Sequence, residues 1–98
     1  MARIYIHCFA FRWKPGVTNE QIERAASEVS ALREQIPGLL EVYVGQSESP
    51  RSQGYAFGGV TKFADKASFE AYGPHPAHQK LLSWLMPLLD PLELDFAA

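Results

Sequence analysis

Two of the three histidines in this 98-residue sequence lie close together, in the segment YGPHPAHQKLLSWL. Proline is favoured in the first turn of a helix, so Pro76 predicts a helix that begins there and places His78 in that turn. Leu81, Leu82 and Leu85 follow His78 at helical spacing, which predicts that the imidazole faces inward. Burial and the positive end of the helix dipole would both lower the pKa of His78, and a neutral imidazole can act as a general base.

Tyr72 supplies a second group to the same region. It ends the preceding helical segment, with Phe69 three residues before it on the inward side. A phenol and an imidazole that face one cavity can polarise a carbonyl and remove a proton from the adjacent carbon. The competing interpretation is that His78 is a hydrogen-bonded core histidine. His75, just before the proline, is expected to be a helix cap or turn residue.

Three further features have two interpretations each. His7 lies among aromatic residues in a predicted strand, where it either packs in the core or lines a pocket. Asp95 is either exposed to solvent or orients an imidazole from behind. The pair Gly58–Gly59 indicates either a bulge in a strand or room for a ligand close to the backbone.

Several other chemistries fit the sequence poorly. Pro76 fixes the geometry around two of the three histidines and no acidic residues cluster beside them, which disfavours a metal site. Cys8, the single cysteine, has no basic neighbour in its strand to lower its pKa, which disfavours a cysteine nucleophile. One inward histidine is enough to bind haem, so a haem site stays open.

Composition narrows the class of protein. Apolar residues make up 47% of the chain, charged residues 20%, and the net charge is −2. We therefore expect one globular domain over residues 1–98, with no basic surface for nucleic acid. The apolar opening MARIYIHCFA is too short to cross a membrane, and a lone cysteine is typical of a reducing compartment, so we expect a cytoplasmic protein.

The order of elements predicts the fold class. Capping-box spacing at Thr18 and the stop signal Pro37–Gly38 bound an amphipathic helix. Asp65 is a plausible cap for a short helix. Four segments have strand character, namely residues 3–13, 39–46, 54–63 and 91–98. This order is β-α-β-β-α-β with the second helical region broken in two, the ferredoxin-like α+β arrangement with a four-stranded antiparallel sheet.

The first strand also predicts a partner. Ile4, Ile6, Cys8 and Ala10 alternate with Tyr5, His7, Phe9 and Phe11, so both of its faces are largely apolar. A sheet covered by helices on one side usually leaves the other side polar. A chain this short has no spare element for the second face, so we expect a homodimer that packs sheet against sheet.

These segments resemble the stress-responsive A/B-barrel (Dabb) family. The resemblance runs from about Ile4 to Phe96 and rests on KPGVTNEQI, IPGLLEVYVG, SQGYAF and above all AYGPHPAHQK. It implies a dimeric α+β barrel built from two ferredoxin-like sheets.

The resemblance also implies site residues. Some plant members act as lyases or polyketide cyclases without metal or organic cofactor. In the cyclase type, the positions of Tyr72 and His78 form an acid–base pair, His7 matches a pocket histidine, and Asp95 matches a supporting carboxylate. This sequence departs from that type at Phe57, where a histidine is usual, and at Gly59, where a branched residue is usual. We expect these two positions, with Phe9 and Leu82, to shape the pocket.

Three functional hypotheses follow. The first is a cofactor-independent lyase or cyclase that acts on a small carbonyl or phenolic compound, with His78 as base, Tyr72 as hydrogen-bond donor, and Asp95 or His7 as orienting partner. The second is a non-catalytic dimeric stress-response protein that binds a hydrophobic ligand. The third is a monooxygenase of the same dimeric barrel fold.

Overall fold

Four strands form one antiparallel sheet in the spatial order β2-β3-β1-β4. The computed structural model describes residues 3–98 and confirms the predicted element order and the α+β class. The strands are β1 (Tyr5–Trp13), β2 (Leu39–Gln46), β3 (Phe57–Phe63) and β4 (Leu89–Ala97). The helices are α1 (Asn19–Ala31), α2 (Lys66–Tyr72) and α3 (Pro76–Leu85), and 3-10 turns span Leu32–Glu34 and Met86–Leu88.

Each helix begins at a residue whose side chain satisfies a free backbone N–H group. Thr18 and Gln21 form a reciprocal capping box at the start of α1. The Asp65 carboxylate accepts a hydrogen bond from the Ser68 backbone N–H at 2.8 Å, and His75 Nδ1 accepts one from the Ala77 N–H at 3.1 Å. Local sequence therefore fixes where α2 and α3 begin, and α3 in turn positions His78.

Side chains of β1 alternate between two different environments. His7, Phe9 and Phe11 point towards the helices and are buried. Cys8, between them, pairs with Val60 on β3 and Leu94 on β4 on the opposite face. We call that opposite side of the sheet the open face; its most exposed large side chains are Tyr43, Val60, Leu92, Leu94 and Phe96.

Gly58 and Gly59 lie in regular pairing, so the bulge considered for them is wrong. Their partners on β1 are Ala10 and Phe9, with no shift in register. A Cβ atom on Gly59 would collide with the Tyr43 carbonyl oxygen and would lie 2.7 Å from Phe9 Cζ. The space left by the glycine is therefore filled by the Phe9 ring and the neighbouring strand, which corrects the expectation that it leaves room for a ligand.

No helix among residues 3–98 has the length and apolar character needed to cross a membrane.

Candidate active site

A cleft lies between the helices α2 and α3 and the strands β1 and β4. Its inner chamber, of about 40 Å³, is lined mainly by apolar side chains that include Phe9, Phe11, Leu81, Leu82 and Leu85. Its mouth, of about 240 Å³, is lined by polar and aromatic side chains. The two parts are contiguous, since His7, Tyr72, His78 and Glu93 line both.

The backbone at the end of α2 holds His78 in place. His78 Nδ1 lies 3.0 Å from the Gly73 carbonyl oxygen, which also accepts a hydrogen bond of 2.7 Å from Gln79 Nε2. Because a carbonyl oxygen only accepts hydrogen bonds, Nδ1 is the nitrogen that carries the proton. In the neutral ring, Nε2 is then left with a free lone pair.

Burial lowers the pKa of His78 from its ordinary value of 6.5, although the hydrogen bond to Gly73 opposes the shift. The ring is therefore neutral near pH 7, as the sequence predicts. The expectation that Asp95 or His7 orients His78 is wrong: the orienting partner is the Gly73 carbonyl, which no side-chain pattern in the sequence reveals.

Tyr72 stacks on His78, with ring centroids 3.9 Å apart and an angle of 28° between the rings. The phenol is 6% exposed, and its burial, followed by the negative charge of Glu93, raises its pKa. Within residues 3–98 the Tyr72 hydroxyl makes no hydrogen bond, and since no buried side-chain oxygen or nitrogen there lacks a partner, the hydroxyl is accessible from the cleft. The two rings lie face to face rather than hydrogen-bonded to each other, so each can address a ligand in the cleft separately.

His7 and Asp95 form a hydrogen-bonded pair across the strands. They are directly opposite each other in the β1–β4 register, and His7 Nδ1 donates to the Asp95 carboxylate. The His7 ring is buried, with its centroid 5.3 Å from that of Phe69 and 6.1 Å from that of Tyr72. The structure therefore supports the interpretation that Asp95 orients an imidazole, and the imidazole that it orients is His7.

Glu93 is a cleft residue that we did not predict. It lies opposite Phe9 in the β1–β4 register, and it lines both the chamber and the mouth. The alternation of Leu92, Leu94 and Phe96 with Glu93 and Asp95 carried the signal, because it places both acids on one face of β4. Pairing β4 with the His7 face of β1 would have placed Glu93 in the cleft.

The cleft contains most of the residues predicted for it. Tyr72, His78, His7 and Asp95 meet at the mouth, and Phe9 and Leu82 line the chamber.

The prediction that Phe57 and Gly59 shape the pocket is wrong, because neither residue lines the cleft. Phe57 is 2% exposed, and its ring centroid lies 5.8 Å from that of Phe11 and 5.6 Å from that of Trp13. It therefore belongs to the aromatic core beneath α1.

Within residues 3–98, no three histidine, cysteine or acidic side chains are grouped as a metal site requires.

Comparison with known proteins identifies related sequences and folds. Residues 6–97 match the sequence profile of a protein family that is described as the stress responsive A/B barrel domain. No curated protein matches the chain.

Three solved structures illustrate the similarity. A dimeric ferredoxin-like protein of unknown function from Thermobifida fusca is 29% identical; the match covers 100% of this chain and 93% of that one, with a TM-score of 0.87. A Dabb family protein from Mesorhizobium loti is 23% identical over 98% of this chain and 97% of that one, with a TM-score of 0.82. A hydroxynitrile lyase from Passiflora edulis is 18% identical; the match covers 100% of this chain and 95% of that one, with a TM-score of 0.91. The last two likenesses show the fold alone.

Proposed function

The chain belongs to the stress responsive A/B barrel (Dabb) family, and from this premise we propose that it is a cofactor-independent enzyme with lyase- or cyclase-type acid–base chemistry on a small carbonyl or phenolic compound. One observation carries the proposal. The same cleft is lined by a neutral imidazole whose Nε2 has a lone pair to offer and by a phenol whose accessible hydroxyl has no partner within residues 3–98. The first is suited to accept a proton and the second to donate a hydrogen bond.

Each group has one role in the proposed reaction. His78 Nε2 accepts a proton from the carbon next to the substrate carbonyl, and the electron pair of that C–H bond moves to form an enolate. The enolate oxygen accepts a hydrogen bond from the Tyr72 hydroxyl. Because its pKa is raised, Tyr72 keeps its proton and serves as the donor throughout. His7, held by Asp95, lies beside the Tyr72 ring, with the two ring centroids 6.1 Å apart, and supports the position of that ring.

A protein of the same fold has an activity of this class. The Passiflora edulis protein of the same fold is a hydroxynitrile lyase.

We propose further that the chain forms a homodimer through the open face. Leu92 is 55% exposed and Leu94 is 65% exposed, and both lie beside Phe96 on β4. A contiguous apolar patch of this kind marks an association surface. The Thermobifida fusca relative is itself described as dimeric.

A proton-exchange experiment tests the proposed chemistry without knowledge of the natural substrate. Phenylacetone and an aromatic hydroxynitrile are incubated with the protein in D2O, and NMR follows deuterium incorporation and cleavage. We expect His78→Asn to slow the reaction by about 10²–10⁴-fold, the usual contribution of a general base. The asparagine amide still donates to the Gly73 carbonyl, so the variant keeps the local fold.

Tyr72→Phe provides the complementary test, since it removes the hydroxyl and keeps the ring stack. We expect a slower reaction with little change in the melting temperature. Equal rates for the wild type, His78→Asn and Tyr72→Phe would contradict the enzyme proposal. If ligands bind all three proteins without turnover, the alternative of a non-catalytic ligand-binding protein is favoured.

A further inference from the structure

The mouth of the cleft carries three carboxylates. Glu70 comes from α2, and Glu93 and Asp95 come from β4. Within residues 3–98, no lysine or arginine lines either the mouth or the chamber. The electrostatic potential at the entrance is therefore set by acidic groups.

The histidines do not cancel this negative charge. His78 is held neutral near pH 7 by its burial. His7 is paired with Asp95, so even a protonated His7 would neutralise Asp95 only. Glu70 and Glu93 form no salt bridge within residues 3–98. At least two uncompensated negative charges thus border the mouth.

The remaining walls of the mouth are aromatic. Phe69, Tyr72 and His7 surround it with ring faces and edges, and their mutual centroid distances are 5.3 to 6.4 Å. Aromatic faces attract cations, and the combination of aromatic rings with carboxylates is how proteins hold ammonium groups. An anionic ligand would meet repulsion from the same walls.

An independent observation shows that a ligand in the cleft can reach the Tyr72 hydroxyl. Tyr72 is 6% exposed as a residue and lines both the chamber and the mouth, and its hydroxyl has no hydrogen-bond partner within residues 3–98. No buried side-chain oxygen or nitrogen of these residues lacks a partner, so the hydroxyl oxygen is itself accessible. A ligand in the cleft can therefore accept a hydrogen bond from it.

We propose that this mouth selects single-ring compounds that carry an ammonium group and rejects those that carry a carboxylate, with Glu93 as the main determinant of the choice. The inference rests on the proposed function and names the substrate class for the same cleft. The mouth, at about 240 Å³, is large enough for one ring, since cavities of about 150 Å³ accept benzene. Glu93 is singled out because, unlike Glu70, it lines both parts of the cleft.

Three probes of matched size test the selection: benzylamine, benzyl alcohol and benzoate. Their dissociation constants at pH 7 are measured by NMR, with the Tyr72 and His78 resonances reporting the site. For the wild type we expect benzylamine to bind at least about tenfold more tightly than benzoate. In Glu93→Gln we expect benzylamine to bind about fivefold more weakly and benzoate more tightly, the size expected for one charge removed at a partly solvated site.

Glu23→Gln is the matched control, because Glu23 is an exposed residue of α1 that does not line the cleft. We expect it to leave all three constants unchanged. A second measurement needs no variant. Because salt screens exposed charges, 1 M NaCl should reduce the preference for benzylamine over benzoate, measured as the ratio of their dissociation constants.

The outcomes separate this inference from the proposed function. Suppose that benzyl alcohol perturbs the Tyr72 and His78 resonances but the charge of the probe has no effect on affinity, or that Glu93→Gln behaves like Glu23→Gln. The proposed selection by charge is then overturned, whereas the proposed function of the cleft stands. If none of the probes perturbs those resonances and no proton exchange occurs, both proposals fail together.

Discussion

The two faces of the sheet are similarly apolar, but they differ in what covers them. On the helix side, Phe9 is 7% exposed and Phe63 is fully buried beneath the chain's own helices. On the open face, Leu92 and Leu94 are 55% and 65% exposed. The chain has enough helices for one face only, so the second face is where the proposed homodimer completes its core.

The two faces also differ in chemistry. The titratable groups of the cleft, which include His7, Tyr72, His78 and Glu93, lie on the helix side. The open face carries the pair Lys62 and Glu41, with Lys62 Nζ 3.0 Å from the Glu41 carboxylate, and the β1–β4 register places Arg12 and Asp90 at its other end. Because side chains alternate along a strand, Glu93 and its neighbour Leu94 serve different faces. A substitution at Leu94 therefore tests the proposed dimer surface without altering the candidate site, and a substitution at Glu93 does the reverse.

The largest effect is expected from a charge on the open face. Leu94→Asp would bury a carboxylate twice in a two-fold interface, so we expect the dimer to dissociate at least about 100-fold more readily, or ~2.7 kcal/mol. Analytical ultracentrifugation over a range of concentrations measures the change. NMR of the His78 ring should show that the cleft is retained.

Ala31→Asp is the control for this variant, since it adds the same charge at an exposed position of α1. Its association should match that of the wild type. A wild-type protein that is monomeric at high concentration would refute the homodimer, as would a Leu94→Asp protein that associates normally.

A smaller effect is expected where the helix-side core packs directly against the backbone. Gly59→Ala would push a methyl group into the Tyr43 carbonyl oxygen and the Phe9 ring, so we expect a loss of about 2 kcal/mol in the free energy of unfolding. Gly45 lies on the neighbouring strand with nothing within 4 Å of its potential Cβ, and Gly45→Ala should be neutral or slightly stabilising. Urea unfolding of the two variants makes the comparison. Equal stabilities would show that the space beside Gly59 is not filled as described.

Local signals were sufficient to predict the framework of the molecule. Caps at Thr18, Asp65 and His75 depend on side chains within three residues of the groups they bind, so the sequence shows them directly. Alternation along β1 likewise predicted its two apolar faces. Helical spacing placed Tyr72 and His78 on inward sides, and both line the cleft.

Pairing between distant strands decided what the sequence left open. From the sequence alone, Gly59 suggests empty space; only the strand register shows that Phe9 lies opposite it and fills that space. Asp95 is paired with His7 rather than His78 because β4 lies beside β1, a choice that no local pattern contains. Glu93 was missed for the same reason. The site residues were thus predictable by type and face, but their partners required the tertiary structure.

The smallest effect we expect is a pH dependence that belongs to the helix side alone. Because burial lowers the pKa of His78 below 6.5, the folded ring binds fewer protons than the unfolded one. This contribution to stability is complete above pH 6.5 and is lost as the pH falls through that value towards the lowered pKa. The melting temperature of the wild type should therefore fall more between pH 7.5 and pH 5 than that of His78→Asn, in which the group is absent. Leu94→Asp, compared at the same pH values, should keep the wild-type slope, since the open face does not contact His78. A slope that disappears in Leu94→Asp but persists in His78→Asn would place the titrating group at the interface instead of in the cleft.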